Sequence, residues 1–198
     1  MTCTEFEQKL ACHCAPALAG IKPANLFSIQ TEEDSGVDEL VDGYQKTFQK
    51  RGICFQILCR CSRRTLIMVY RPAILLRELE TAEARALLNQ FGYRAGKPGA
   101  DLHLTGLLEI LARRIEESGT CSFPHEIGLF LGYPIDDVTG FIQNRGGNCL
   151  YSGYWKVYSD VQRAKRQFDR YETVKAGMLR VLETGKTICD MFGVSPAA

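Results

Sequence analysis

The spacing of apolar residues along the chain predicts several amphipathic helices. From Val37 to Arg51 the apolar positions recur every three or four residues, and Gly52 ends the run. The segment Leu104–Glu117 shows the same spacing with one apolar face. The longest predicted helix begins after Ser159 and runs to about Phe192. Its apolar positions are Val161, Ala164, Phe168, Tyr171, Val174, Met178, Val181 and Ile188.

Shorter apolar runs predict strands. Asn25 to Gln30 is one, and Ile53 to Cys61 and Thr65 to Tyr70 read as a hairpin joined by Ser62, Arg63 and Arg64. A further strand is predicted from Cys149 to Tyr158. Because side chains alternate along a strand, one face of the first hairpin strand is expected to carry Ile53, Phe55, Ile57, Cys59 and Cys61.

The remaining segments are predicted as short helices. The first runs from Thr4 to Cys12, with Thr4 as its cap and Glu7 completing a capping box. Others are expected near Ala73–Leu79, Thr81–Phe91, His125–Tyr133 and Asp136–Asn144. Helices and strands do not alternate strictly, which favours an α+β fold. We expect one mostly helical domain over residues 1–198, with a small, mainly antiparallel sheet and a long C-terminal helix.

Charge and hydropathy exclude some classes of partner. The chain has 24 basic and 23 acidic residues, a net charge of +1, so it lacks the basic excess typical of nucleic-acid-binding proteins. The first ten residues are polar and do not resemble a signal peptide. No apolar run approaches the roughly 20 residues that span a bilayer. We therefore expect a cytoplasmic protein with neither nucleic-acid nor membrane partners.

Nine cysteines are many for a chain of 198 residues. In a reducing cytosol they are expected as thiols, metal ligands or redox groups rather than as disulfides. Cys12, His13 and Cys14 are candidate metal ligands, with Cys121 and His125 as remote completions of the site. Alternatively, Cys14 is a reactive thiol with His13 or His125 as its base, or these thiols simply pack in the interior.

His125 and Glu126 follow Pro124 at a predicted helix start. The helix N-terminus lowers the pKa of a histidine there and favours anions nearby. His125 and Glu126 are therefore candidate acid/base residues, and His125 is also a candidate ligand-binding residue. The alternative is structural, with Glu126 complementing the helix dipole and His125 making one hydrogen bond.

Two other segments offer ligand-binding residues. The loop from Pro16 to Asn25 places Lys22 and Asn25 among small residues, which let a backbone approach a ligand closely. The aromatic run near the C-terminal helix contains Tyr154 and Lys156, which alternation puts on one face. The alternatives are a tight connection for the loop and sheet packing for the aromatic residues.

Three segments carry a family resemblance. They read CAPALAGIKPANLF (residues 14–27), PHEIGLFLGYP (residues 124–134) and GYWKVY (residues 153–158). Together they resemble the domain of unknown function 3793 family, found mainly in clostridia and related anaerobes. The resemblance implies a single-domain protein of an anaerobic bacterium's cytosol, and it implies no particular activity, cofactor or catalytic residue.

Three hypotheses for the function stay open on the sequence. The favoured one is a small-ligand or metal-binding auxiliary factor in anaerobic metabolism, which takes an anionic or aromatic ligand, or a metal, near the Pro16–Asn25 loop and His125. The second is a thiol- or histidine-dependent enzyme that uses Cys14 or His125. The third is an interaction module that pairs through the C-terminal helix, in the simplest case as a homodimer.

Overall fold

A computed structural model describes residues 1–30, 36–60, 64–97, 99–118 and 123–195. The helices are α1 (Cys3–Leu18), α2 (Val37–Phe48), α3 (Pro72–Leu79), α4 (Ala82–Gln90), α5 (Leu104–Glu117), α6 (Ile127–Phe130), α7 (Ile135–Gln143), α8 (Val161–Glu183) and α9 (Ile188–Phe192). A 3₁₀ turn (Gln49–Arg51) follows α2. The strands are β1 (Ala24–Gln30), β2 (Cys54–Arg60), β3 (Arg64–Tyr70), β4 (Tyr151–Ser152) and β5 (Lys156–Val157). The predicted α+β class is therefore confirmed.

The larger sheet has three antiparallel strands in the order β1-β3-β2. The central strand β3 is apolar on both faces, as expected for a strand covered on both sides. Leu66 and Met68 pack into one core cluster, whereas Ile67 and Val69 pack into another. Helices α3 to α6 contribute to the first cluster, and α1, α2 and α9 contribute to the second.

Glu7 of α1 connects three helices in the second cluster. Its side chain is buried, and Oε1 accepts hydrogen bonds from the Tyr44 hydroxyl of α2 (2.6 Å) and from the backbone N–H of Ile188 in α9 (2.9 Å). A buried carboxylate is costly unless its oxygens are satisfied in this way. The two bonds therefore fix α1 against helices from both ends of the described chain.

The small hairpin β4–β5 is held against α7 and α8 by one carboxylate. Asp137 of α7 is buried, and Oδ2 accepts the indole N–H of Trp155 at 2.7 Å. Its Oδ1 accepts the backbone N–H groups of Tyr158 and Ser159 and the Ser159 hydroxyl, at 2.8, 2.9 and 2.8 Å. A third core cluster, built around Trp155 and Phe168, lies beside this anchor.

The first helix begins earlier and ends later than predicted. Thr2 is its N-cap and forms the capping box with Glu5. The predicted box of Thr4 and Glu7 was wrong, because the same Thr-x-x-Glu spacing occurs twice and Glu7 is engaged in the core. The helix also continues through Pro16 to its last turn.

Cys59 lies on a different face from the one predicted. The pairing of β2 with β3 shifts between Ile57 and Cys59, as in a β-bulge. The shift inverts the alternation, so Ile57 packs beside the α1 cluster and Cys59 beside the α5 cluster. The predicted common face is therefore wrong at Cys59. Cys61 and the turn residues Ser62 and Arg63 lie outside the described residues.

Three further boundaries differ from the sequence expectations. The long C-terminal helix is confirmed, but it ends at Glu183, because Gly185 turns the chain with φ +81° and Thr187 then caps α9. The predicted strand from Cys149 to Tyr158 is instead the two-residue hairpin strands β4 and β5. His125 and Glu126 precede α6 rather than lying inside a longer helix. Within the described ranges, no helix combines the length and apolarity that a membrane crossing needs.

Candidate functional site

A cavity of about 840 Å³ lies where α1, β1, β3 and α8 come together. Small-ligand sites commonly enclose roughly 300–1,000 Å³, so this space suits a molecule of cofactor size. We call it the Lys22 cavity. Its polar lining includes Cys12, His13, Lys22, Asn25, Ser28, Arg64, Tyr154, Glu172 and Lys175. Its apolar lining includes Leu26, Leu66, Phe123, Ile127, Leu131 and Tyr133.

The loop that carries Lys22 is fixed by hydrogen bonds at the end of α1. Arg71, at the end of β3, donates Nε to the Ala17 carbonyl at 2.8 Å and Nη2 to the Leu18 carbonyl. Asn25 Oδ1 accepts the N–H of Ala17 at 3.0 Å. The backbone N–H of Lys22 bonds to the carbonyl of Pro16 at 3.2 Å. The Arg71 and Lys22 bonds satisfy carbonyls that the helix end leaves unpaired, the Asn25 bond satisfies the N–H of Ala17, and together they set the direction of the loop.

Lys22 itself is the unusual group in this cavity. Only 3% of its surface is exposed. The ammonium lies 5.1 Å from the centre of the Tyr133 ring and 5.8 Å from that of Tyr171. Among the described residues, no carboxylate or other acceptor is bonded to Nζ. Burial lowers the pKa of Lys22 to about 8, with a weak opposing effect from Cys14.

The other charges of the cavity are mostly positive. Arg64 lies with its guanidinium carbon 5.1 Å from the centre of the Phe123 ring. Lys175 Nζ is 3.2 Å from Glu172 Oε2, and the Tyr154 hydroxyl donates to Glu172 Oε1 at 2.7 Å. The Tyr154 bond is the main reason that the pKa of Glu172 is lowered. Among the described residues of the lining, the one carboxylate is therefore already paired, and Lys22 and Arg64 have no carboxylate partner.

Of the predicted ligand-binding residues, Lys22, Asn25 and Tyr154 line this cavity. The carbonyl oxygen of Asn25 is occupied by the helix end, so Asn25 also has a structural role. Tyr154 is half-buried between Phe168 and Tyr171, with ring centres 5.5 and 5.2 Å away. Of the predicted Pro16–Asn25 loop, residues 16–18 belong to α1 and residues 24–25 to β1, and Lys22 and Asn25 are its two residues that line this cavity.

His125 and Lys156 line a different cavity of about 390 Å³. His125 is exposed, and its ring centre lies 5.1 Å from that of Phe141. Lys156 donates Nζ to the Gly146 carbonyl at 2.6 Å. We call this space the His125 cavity. The two cavities share three wall residues, Phe123, Ile127 and Tyr133. The strand alternation that grouped Tyr154 with Lys156 therefore does not bring them to one site.

Glu126 is fully buried in an ion pair. Its Oε1 accepts from Arg114 Nε at 2.5 Å and from the Tyr93 hydroxyl at 3.0 Å. Its Oε2 is buried without a partner among the described residues. The carboxylate lines neither the Lys22 cavity nor the His125 cavity. Its position therefore suits the structural alternative, since it fixes the start of α6 to α5.

The cysteine–histidine run does not converge on one point. Cys14 is fully buried in the α1 core cluster, and burial raises the pKa of its thiol, which keeps it protonated. Cys12 and His13 are at the surface and line the Lys22 cavity. Partial burial of the imidazole, together with Lys9 and Lys175, lowers the pKa of His13. Within the described ranges, no three histidine, cysteine or acidic side chains form a group that could hold a metal ion.

Glu172 and Lys175 were not singled out from the sequence as parts of a site, and Arg64 was considered only with the neighbouring arginines of the hairpin, as a group that could bind phosphate or carboxylate or as part of a solvated turn. They come from β3 and α8, which are separated from the Lys22 loop by tens of residues. No local motif marks them. The pairing of β3 with β1 places Arg64 at the cavity, and the packing of α8 against α1 places Glu172 and Lys175 there.

A known protein family matches the region of the chain that forms both cavities. A family model described as "Protein of unknown function (DUF3793)" matches residues 10–192, and no curated protein and no solved structure matches the chain. The matched range contains every residue that lines the Lys22 and His125 cavities. With nearly the whole chain matched, the protein belongs to the DUF3793 family, as the resemblance of its three segments predicted.

Proposed function

We propose that the protein binds a small organic anion with an apolar or aromatic body in the Lys22 cavity. The observation that carries this proposal is Lys22 itself, a lysine buried to 3% exposure beside a large cavity without a carboxylate partner. Burying an unpaired charge costs several kcal/mol, and a bound anion supplies the missing partner. The protein is thus a binding protein in which the ligand completes the electrostatics of the interior.

The remaining lining supports the same ligand chemistry. Lys22 and Arg64 offer two cations, and Glu172 is already paired with Lys175 and Tyr154. Opposite charges attract more strongly in a partly dry cavity than in water. An anionic group is therefore favoured over a cationic or neutral one.

The apolar side of the lining indicates the rest of the ligand. Leu26 and Leu66 come from the face of the sheet, and Phe123, Ile127 and Leu131 come from α6 and its flanks. Such surfaces favour the transfer of apolar groups out of water, at roughly 25 cal/mol per Å². Aromatic edges from Tyr133 and Tyr154 suit a flat ring in particular.

Fluorescence titration with anilinonaphthalene sulfonate, an aromatic anion, tests the proposal. Lys22→Met keeps the bulk of the side chain and removes its charge. We expect it to weaken binding about tenfold or more, because a charge-assisted contact contributes about 1.5–3 kcal/mol. Lys156→Met is the matched control, since Lys156 lines only the His125 cavity of the two.

The control also shows how the proposal fails. If Lys156→Met weakens the probe and Lys22→Met does not, the His125 cavity holds the probe and the proposal is wrong. Urea unfolding of each variant is measured alongside, because a loosened protein binds this probe without a specific site.

A further inference from the structure

The lysines around the two cavities differ in what their amines contact. Lys175 is paired with Glu172, and Lys156 donates to the carbonyl of Gly146. Lys22 is the most deeply buried of the three, and among the described residues its amine contacts the rings of Tyr133 and Tyr171 rather than an acceptor. Its nitrogen therefore has no hydrogen-bond partner to give up before it reacts with a molecule in the cavity.

We propose that Lys22 forms an imine with the cavity's ligand, and that this ligand is an aldehyde or ketone that also carries an anionic group. The inference rests on the proposed function, since it needs the cavity to bind an organic anion. It adds a chemical class for the ligand and a covalent role for Lys22.

The step requires no oxidant, reductant or second substrate. The neutral amine of Lys22 attacks the carbonyl carbon, and the carbonyl oxygen takes up the proton that the nitrogen loses. The resulting carbinolamine then loses water, so that a carbon–nitrogen double bond replaces the carbon–oxygen bond. A desolvated lysine is the usual nucleophile for this chemistry.

The electrostatics of the site support the neutral amine. With a pKa of about 8, close to half of the Lys22 amine is neutral at pH 8, against less than about 1% of an ordinary lysine. Arg64 remains as a cation for the anionic end of the ligand. Cys14 does not compete as a nucleophile, because burial keeps its thiol protonated.

Reductive trapping tests the inference on the whole chain. The probe is a formylnaphthoate with the aldehyde and the carboxylate at opposite ends of the ring system, used at pH 8 with cyanoborohydride. Peptide mass spectrometry then locates the reduced adduct. We expect modification of Lys22 at least about tenfold above that of Lys156 or Lys175, because the Lys22 amine lies at the cavity without an acceptor among the described residues, whereas Lys156 donates to Gly146 and Lys175 pairs with Glu172. Thiol adducts of the aldehyde are not reduced, so the exposed Cys12 does not interfere.

The matching methylnaphthoate, which has no aldehyde, separates the inference from the proposed function. If it binds, as measured by competition with anilinonaphthalene sulfonate, and Lys22 is nevertheless not the preferred adduct, the imine is wrong and anion binding stands. If neither methylnaphthoate nor formylnaphthoate binds, both the imine and the proposed anion binding are wrong. An excess of methylnaphthoate should suppress the Lys22 adduct and leave any adduct at the α-amine of Met1, which does not line the cavity, unchanged.

A second variant separates charge from nucleophilicity. Lys22→Arg keeps a cation at the site but cannot form a reducible imine. We expect it to lose the trapped adduct, and its affinity for methylnaphthoate is measured alongside, so that loss of the imine is distinguished from loss of binding. An adduct level in Lys22→Arg equal to that of the unmodified sequence would overturn the inference, because the trapped amine would then be elsewhere.

Discussion

The Lys22 ammonium lies 5.1 Å from the centre of the Tyr133 ring, where a carboxylate would be the usual partner of a buried lysine. A cation–π contact contributes about 0.5–1 kcal/mol at an exposed site and about 2 kcal/mol when it is desolvated. The penalty for burying an ammonium is several kcal/mol even after relaxation. The tyrosine rings therefore offset only part of the free-energy penalty for burying the Lys22 ammonium. A bound anion would offset the rest of that penalty.

The first prediction concerns the pH dependence of stability. The folded-state pKa of Lys22 is lowered from 10.5 to about 8, so between these values the unfolded chain binds more protons and stability rises with pH. Lys22→Met removes this group, and we expect it to be more stable than the unmodified sequence by about 1–3 kcal/mol at pH 7. The difference should shrink as pH rises through about 8 toward 10.5.

Urea unfolding of both proteins at several pH values measures that difference. Other groups titrate in the same range, but they are common to the two proteins and cancel in the comparison. A constant difference from pH 7 to pH 10 would show that Lys22 is not buried as a cation.

The second prediction concerns the glycine that packs on the Lys22 loop. Gly132 has φ +67°, and a Cβ there would overlap the Pro23 ring next to Lys22. We expect Gly132→Ala to cost about 3 kcal/mol or more, since backbone strain and overpacking add. The matched control is Gly92→Ala, whose φ is +81° but whose Cβ would meet nothing within 4 Å, and it should cost about 1 kcal/mol. If the two variants lose the same free energy of unfolding, the contact with Pro23 does not destabilise Gly132→Ala and the prediction is wrong.

The third prediction concerns Asp137. We expect Asp137→Asn to destabilise the protein by about 2–4 kcal/mol. Both carboxylate oxygens of Asp137 accept hydrogen bonds, so the NH₂ group of an asparagine would face another donor. Trp155 is the only tryptophan of the chain and donates to this carboxylate, so its fluorescence reports the change directly during urea unfolding. The exposed neighbour provides the control, and Asp136→Asn should cost under about 1 kcal/mol.

The fourth prediction concerns Glu126. Removing it by Glu126→Ala leaves Arg114 and the buried Tyr93 hydroxyl without their acceptor, and we expect a cost of about 3 kcal/mol. Glu126→Gln keeps a carbonyl oxygen for these donors and should cost less, about 1–2 kcal/mol. Thermal and urea unfolding of the two variants measure both values. A Gln variant as unstable as the Ala variant would mean that the charge of Glu126, rather than its hydrogen bonds, is what stabilises the protein.

The fifth prediction concerns thiol reactivity. Cys14 is buried with its thiol pKa raised, whereas Cys12 and Cys3 are exposed. Iodoacetamide should therefore alkylate Cys12 and Cys3 in the native protein, and Cys14 about a hundredfold more slowly until the chain unfolds. Mass spectrometry of timed samples follows each site. Rapid alkylation of Cys14 in the native protein would revive the hypothesis of a catalytic thiol.

Periodicity was sufficient to predict the elements whose burial is local. Helix α5 begins and ends as its apolar spacing predicted, and β1 differs by one residue. The prediction from periodicity failed where a single backbone irregularity moves the following side chains to another face or ends the helix. The bulge after Ile57 and the left-handed turn at Gly185 are such points. Apolar residues on both sides of each point still fit a continuous strand or helix, so the spacing alone does not reveal the interruption.

The candidate site was predictable only in part for a related reason. Lys22 lies in a loop whose small residues indicated close approach, but its burial depends on Tyr133 and Tyr171, which are more than a hundred residues away. Arg64 and Lys175 are ordinary cations in their own segments. Charge complementarity in a cavity is a tertiary property, and a single sequence carries no local mark of it.

The bond between Glu7 and the backbone of Ile188 spans 181 residues, and this has a consequence for biosynthesis. A ribosome releases the N-terminal helix long before the segment that donates to it. Until then Glu7 has only Tyr44 as a donor, and the apolar surface that α9 covers stays open to water. The α1 side of the sheet is therefore completed only near the end of translation.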